Sequence, residues 1–318
     1  VVGEGHGGFP PGEDALVLGH ECLGEVLSAP EGSALRPGDR VVPLVRHGCG
    51  LCPLCASGKQ DLCSTGRYRE HGIKGLHGFL REEWTDDPAA LVSVPSGLGD
   101  AAVLTEPLSV VLKALEVAEQ VQRRLPWFEG WGGRNVLLAG TGSLGTLAAF
   151  RLAESGANVW GADRSGDDAA AARLLARLGV RHVDVRATPI PEAAREVGGF
   201  DLVLEATGAP SVVFDAVRAL RENGALVVTG VPAQRPAVPV EADDFMRDLV
   251  MRNLAVVGSV NSNRRHFEAA LQALRRWQDR WPEELATVIT HRYRPEDAPH
   301  AVKESGPHVI KKVVDWTL

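Results

Sequence analysis

Four of the chain's five cysteines, Cys49, Cys52, Cys55 and Cys63, fall in one stretch, CGLCPLCASGKQDLC. Thiolates hold soft metals or carry electrons, and the spacing C-x2-C-x2-C-x7-C helps to separate those chemistries. A ferredoxin-type iron–sulfur run ends in C-x3-C-P; here the last gap is longer and Ser64 follows Cys63. Gly48, Gly50 and Pro53 supply the turns. The pattern predicts a closed tetrahedral zinc site with no position left for substrate, a staple and not a reactive centre. A buried, reduced cluster without metal is the alternative.

Reactive chemistry must then lie elsewhere. Gly19-His20-Glu21 sets an imidazole beside a carboxylate, and Glu106 stands next to Pro107 at the start of a helical run. Each has an ordinary explanation, a surface dipeptide and a first-turn helix acid. The segment Gly140-Thr141-Gly142-Ser143-Leu144-Gly145 follows an apolar run and opens a helical one, the context in which GxGxxG reads as a dinucleotide site. Gly140 permits the tight turn, Gly142 lets backbone approach a pyrophosphate, and Gly145 permits close helix–strand packing. Asp163 closes the next strand, where an acid accepts from the ribose 2′-OH and favours NAD; Arg164 beside it suits adenine stacking or a 2′-phosphate, so NADP stays open.

These residues need a scaffold. NVLLAG, NVWGAD, HVDV, DLVLEATG, ALVVTG and LAVVGSV are short apolar runs alternating with helical segments. Six such runs predict a parallel, doubly wound α/β sheet. The helices expected between them include SLGTLAAFRLAESG, SVVFDAVRALRENG and DDFMRDLVMRN. Before this region, LGHECLGEVLSA, RVVPLV and LVSVP are short strand candidates among Gly/Pro turns, as in a compact β domain. EPLSVVLKALEVAEQV repeats apolar residues at Leu108, Val111, Leu112, Leu115 and Ala118, a helix with one buried face. The domains are expected at 1–108, 109–258 and 259–318, the last returning to the first with a helix, RHFEAALQALRRWQDR, and a strand, HVIKKVVDW.

A chain of 318 residues suits two domains. A net charge of −7 leaves no electrostatic footprint for nucleic acid, and no apolar run is long enough for a membrane helix. Without a secretory leader pattern, and with five cysteines of which four are clustered, a reduced cytoplasmic setting is expected.

GHECLGEV, PGDRVV, the four-cysteine run, EPLSVVLKALE, GTGSLG, LEATG and VIKKVVDW together resemble a zinc-dependent medium-chain dehydrogenase/reductase over essentially the whole chain. The run TGRYREHGIKGLHGFLREEWTDDPAALVSVPSGL, followed by EPLS, is similar to the glucose 1-dehydrogenase branch best known from archaea. The resemblance implies a GroES-like β domain plus a Rossmann domain, one structural and one catalytic zinc, NAD or NADP, and a homotetramer or homodimer. By it, His20, Glu21 and Glu106 correspond to catalytic-zinc ligands, although in parts of the superfamily the residue at Glu21 stands behind the ligands without touching the metal. Glu70 corresponds to a residue contacting sugar and metal-bound water, and Asn261 to one contacting sugar and nicotinamide. Thr207, Val231 and Val260 fall where the family lines the nicotinamide. The family also has a segment ahead of Val1 with a further zinc ligand and a Ser/Thr proton relay, so a trimmed chain is expected. The implied reaction oxidises the C1 hydroxyl of an aldose, most simply glucose, to the lactone. A polyol, threonine or general alcohol dehydrogenase is the nearest alternative, and a non-catalytic nucleotide-binding protein with a structural zinc is another.

Overall fold

The computed structural model describes residues 7–232 and 237–318. Cα proximity divides the chain into two units, Val1–Lys113 with Val260–Leu285, and Ala114–Ser259 with Ala286–Leu318. This partition differs from the expected boundaries: 260–285 groups with the first unit, whereas 286–318 groups with the second.

In the first unit, β1 (Gly24–Glu25), β2 (Arg40–Pro43), β3 (Arg46–His47), β4 (Arg69–His71), β5 (Gly75–Leu76) and β6 (Leu91–Ser93) are short. They form two small sheets, ordered β1-β2-β6 and β3-β4-β5. Between β3 and β4 the cysteine run folds into a single turn of helix, α1 (Pro53–Ala56), and a 3-10 turn at Gln60–Leu62. Helix α2 (Thr105–Gln122) follows, with Leu108, Val111, Leu115 and Ala118 buried as its periodicity predicts and Leu112 half-buried. The helix Arg264–Arg280 is capped by Asn263, which accepts at Oδ1 from Arg265 N, while His266 accepts from Asn263 N in return.

One expectation fails here. GHECLGEVLSA is not a continuous strand; only Gly24–Glu25 is, and His20 and Glu21 lie in irregular backbone. That backbone finds its partners in a loop instead: Gly78 N donates to Val17 O, Leu80 N to Leu18 O and Phe79 N to Gly19 O, at 2.7–3.0 Å. The approach is close enough that a Cβ on Gly78 would sit 2.1 Å from Gly19 O. Gly72, at φ 67, would meet the same oxygen at 2.5 Å. Two glycines therefore seat the His20 segment.

In the second unit, β7 (Asn135–Ala139), β8 (Asn158–Asp163), β9 (Arg181–Asp184), β10 (Phe200–Glu205), β11 (Leu220–Val228) and β12 (Ala255–Gly258) form one sheet, ordered β12-β11-β10-β7-β8-β9. Every pairing is parallel. Counted within the unit this is 3-2-1-4-5-6, one of the orders of the doubly wound parallel sheet that six alternating apolar runs predict. Its connections carry α3 (Ser143–Glu154), α4 (Ala170–Arg177), α5 (Ile190–Val197), α6 (Pro210–Ala219) and α7 (Ala242–Met251). Leu137, Phe200, Val203 and Leu226 are fully buried in its core. The strand order reverses between β7 and β10, so the loops after those two strands flank the crevice where such folds bind ligands.

The helix expected to run through RENG stops at Ala219. Buried Leu220 already pairs with Phe200, and the ladder resumes at Leu202–Ala225 after a bulge holding Asn223 at φ 64. Sheet pairing of a buried leucine outweighs helix continuation into exposed polar residues. A short parallel pair, β13 (Ile289–Tyr293) with β14 (Lys311–Val314), completes the unit. Among the described residues, no helix is long and apolar enough to cross a membrane.

Candidate active site

The four cysteines converge: their sulfurs all lie within 4.8 Å of one another. Cys49 and Cys55 Sγ are 3.8 Å apart, matching the spacing of about 3.8 Å for sulfurs at about 2.3 Å from a tetrahedral centre. Leu51 N and Cys55 N point at Cys49 and Cys52 Sγ, at 3.5 and 3.4 Å. The Cys55 backbone N–H is the main reason the Cys52 thiol is drawn down to about 5. The Thr65 hydroxyl leads in drawing Cys63 down to about 7. Burial pushes Cys55 up to about 12. A bound cation would hold all four as thiolates, so the donor set fits a closed zinc site. Cys22, outside this group, has its thiol raised to about 12 by burial.

The second predicted group also assembles, within the first unit. His20, Glu21 and Glu106 bring their donor atoms within 4.8 Å of each other. Glu106 lies in the first turn of α2 and is buried. Burial, helped by the negative charge of Glu70, raises its carboxyl to about 8. A buried acid facing another acid keeps its proton or takes a cation, and the imidazole of His20 completes a nitrogen–oxygen donor set suited to zinc.

Glu70 is buried on β4 directly opposite Arg46 on β3. Its Oε1 accepts from Arg46 Nε at 2.9 Å and from Asn261 Nδ2 at 2.7 Å. Arg46 is itself fixed, donating to Asp61 O at 2.9 Å and lying 3.7 Å above the Tyr68 ring. Asn261 holds a left-handed φ of 59, and its Oδ1 accepts from Ser262 N. Asp61, inside the cysteine lobe, binds Lys113 of α2 at 2.9 Å and accepts from Asn263 Nδ2 at 3.0 Å. Lys113 also donates to Val260 O at 2.8 Å. The lobe, the helix carrying Glu106 and the loop carrying Asn261 are thus tied together by one buried ion pair and its hydrogen bonds. Arg46, Asp61, Lys113 and Asn263 escaped the sequence reading because their partners lie as far as 202 residues away.

In the second unit, the Gly140–Gly145 loop joins β7 to α3. Gly140 has φ 101, and a Cβ there would press Thr207 Cγ2 at 2.9 Å. A Cβ on Gly145 would fall 1.9 Å from Gly140 O, whereas Gly142 faces open space and caps α3 with no side chain. Bare helix N-terminal amides beside open space fit a pyrophosphate. Gly145→Ala is expected to weaken dinucleotide binding about a hundredfold, close to 2.7 kcal/mol, measured by titration calorimetry.

Asp163 is more occupied than its sequence position suggests. Its Oδ2 accepts from the Thr141 hydroxyl, and Oδ1 from Ser165 N at 2.7 Å and His182 Nε2 at 3.1 Å. Burial alone would raise its carboxyl, but these partners hold it below its ordinary value. Arg164 is exposed. Thr207 follows β10, where buried Glu205 organises the turn by accepting from Thr207 N at 2.7 Å and Gly208 N at 2.9 Å. Val231 and Val260 are exposed, the first beside this turn in the second unit and the second in the first unit.

Comparison with known proteins joins these observations. Residues 3–96 match the family described as alcohol dehydrogenase GroES-like domain, and residues 99–316 match glucose dehydrogenase C-terminus. The glucose 1-dehydrogenase of Metallosphaera sedula is 39% identical over 311 residues, covering 97% of this chain and 84% of the relative. That of Methanocella arvoryzae is 38% identical over 305 residues, covering 95% and 83%. Haloferax mediterranei glucose dehydrogenase, solved in complex with NADP, Zn and gluconolactone, superposes with a TM-score of 0.87 at 33% identity, covering 98% of this chain and 86% of that one. On these matches the chain belongs to the glucose dehydrogenase family of zinc-dependent medium-chain dehydrogenases.

Proposed function

We propose that the chain is a zinc-dependent glucose 1-dehydrogenase, oxidising the C1 hydroxyl of D-glucose to glucono-1,5-lactone with NAD or NADP as hydride acceptor. The observation that carries this reading is the buried Arg46–Glu70 pair joined by half-buried Asn261, whose Glu70 is close enough to Glu106 to raise its carboxyl. A sugar brings several hydroxyls for such donors and acceptors to pair with, whereas a small alcohol brings none beyond the reacting one. The gluconolactone and NADP named for the Haloferax complex support it.

His20, Glu21 and Glu106 would hold the catalytic zinc, and Cys49, Cys52, Cys55 and Cys63 the structural one. Zinc at the first site supplies Lewis acidity, making the substrate hydroxyl easier to deprotonate. Glu70 accepts from, and Asn261 donates to, sugar hydroxyls, holding C1 for transfer. The hydroxyl proton passes to solvent and the C1 hydrogen leaves with its electron pair, so lactone and reduced coenzyme form in equal amounts. The Gly140–Gly145 amides take the pyrophosphate, Asp163 and Arg164 the adenosine end, and Thr207 and Val231 the nicotinamide.

Coenzyme reduction with glucose, sorbitol, threonine and ethanol, each with NAD and NADP, tests the reading. Turnover confined to aldoses supports it; turnover with sorbitol or ethanol but not glucose would sink it. Asn261→Ala is expected to lower kcat/KM for glucose at least tenfold, about 1.4 kcal/mol or more. We place the enzyme in the cytoplasm as a homotetramer or homodimer. The outer edge of β12 and exposed Met246, Val250 and Met251 on α7 are the supporting surface. Light scattering on the purified chain decides between a monomer and these assemblies.

A further inference from the structure

The strands that carry Arg46 and Glu70 have a second face. In the β3–β4 register Arg46 stands opposite Glu70 and His47 opposite Arg69. Side chains alternate across a strand, so His47 and His71 share the face turned away from Arg46 and Glu70, as diagonal neighbours. Asp86, in the loop before β6, completes the group.

Three donor atoms meet there in a nearly equilateral triangle. His47 Nε2 and His71 Nε2 are 3.2 Å apart. Asp86 Oδ2 lies 3.4 Å from the first and 3.3 Å from the second. Ligands at about 2.0–2.1 Å from a tetrahedral ion stand about 3.3–3.4 Å apart, whereas neighbouring ligands of an octahedral ion at similar bond lengths stand about 3.0 Å apart.

The outer contacts point the same way. His71 Nδ1–H donates to His77 O at 2.7 Å, which leaves Nε2 with its lone pair facing Asp86 and His47. Asp86 Oδ1 accepts from Asp87 N at 2.8 Å, which turns Oδ2 inward. The Asp86 side chain is 7% exposed, and the nearest polar neighbours of its Oδ2 are the two Nε2 atoms, at 3.3 and 3.4 Å. With neutral imidazoles and His71 protonated on Nδ1, the single proton on His47 Nε2 is all that three lone-pair atoms have to share. A cation satisfies all three at once. Phe79 packs on His71 with ring centroids 4.6 Å apart, and Trp84 on Phe79 at 4.8 Å, giving the apolar wall that strengthens ligation.

We propose that His47, His71 and Asp86 bind a zinc ion, separate from the cysteine site and from His20, Glu21 and Glu106. Two imidazoles and one carboxylate leave a fourth position for water or a small anion, and His47, with 20% of its side chain exposed, gives it access to solvent. The ion cross-links β3, β4 and the Asp86 loop on the face opposite Glu70. This assignment stands whichever sugar the enzyme turns over.

The test is crystallographic and analytical. Crystals of unmodified protein, dialysed against metal-free buffer, are measured above and below the zinc absorption edge. The expected result is an anomalous peak about 2.0–2.1 Å from both Nε2 atoms and Asp86 Oδ2. In solution, Asp86→Asn and His47→Gln should each lose one zinc per chain by elemental analysis. Cobalt-substituted protein should keep its thiolate absorption in both variants, since the cysteine site is untouched. No peak in the triangle, or a metal content equal to that of the unmodified chain in both variants, overturns the proposal. A peak seen only at the iron or manganese edge overturns the assignment to zinc. If a variant fails to fold, the crystal of the unmodified chain decides.

Discussion

Glu106→Gln is expected to abolish glucose oxidation while making the metal-free protein more stable at neutral pH. Disturbing only the contacts that support a metal ligand costs roughly 10–100-fold in affinity or activity, and Glu106 is placed as a ligand itself, so the loss should exceed that range. The stability effect has the opposite sign. The Glu106 carboxyl is raised from 4.5 to about 8, by burial first and the Glu70 charge second. Between those values the metal-free native state keeps a proton that the unfolded chain has released, so stability falls as pH rises through the window. Glutamine has no proton to lose, and its curve should be flat there. Urea unfolding of chelator-treated protein at several pH values between 4.5 and 8 distinguishes the two. Zinc demands the carboxylate, so its binding near neutral pH should release a proton, visible as a buffer-dependent heat in calorimetry. A wild-type metal-free protein whose stability does not decline across the window would show that Glu106 is not held in the environment described.

What the sequence made legible was local. The strands β7, β8 and β10 are runs so apolar that only burial on both faces accommodates them, and a parallel, doubly wound sheet followed from the alternation of six such runs with helices. The cysteine spacing announced its convergence because every donor comes from one loop. His20, Glu21 and Glu106 were singled out through resemblance, and the structure gathers their donor atoms. The strand expected around His20 was misplaced because its hydrogen-bond partners come from a glycine-dependent loop at 78–80 and not from a ladder. Helix α6 ends at Ala219 because Leu220 is claimed by Phe200, a contact invisible to helical periodicity. Asp163 looked free for a ribose, yet Thr141 and His182 both engage it. Arg46, Asp61 and Lys113 read as scattered charges until the fold pairs Arg46 with Glu70 and Asp61 with Lys113. Long-range polar partners leave no periodic trace in a sequence, and these are the residues that give the site its rigidity.

That rigidity makes Cys52→Ser the variant with the largest expected effect on stability. Cys52 is buried, caps α1 and receives the Cys55 N–H. Structural zinc sites of this kind carry about 10–16 kcal/mol of binding free energy, as much as the whole stability of many domains, about 5–15 kcal/mol. Loss of the ion would therefore not stay within residues 49–63. Asp61 sits inside the lobe, so its disorder would release Lys113 of α2 and Asn263, the two groups that its carboxylate holds. Arg46 would lose the Asp61 carbonyl and with it part of its hold on Glu70. We expect the variant to bind one zinc fewer, to unfold about 10 °C or more below the wild type, and to lose glucose turnover. Coenzyme binding should survive below that temperature, because Gly140–Gly145 and its flanking strands belong to the other unit. Calorimetric scans with and without NADP separate the two effects: NADP should raise the melting of the second unit in the variant as it does in the wild type. A variant that keeps its melting temperature and its turnover would mean that the lobe is not what holds Asp61 in place, and that the ion pair with Lys113 forms without it.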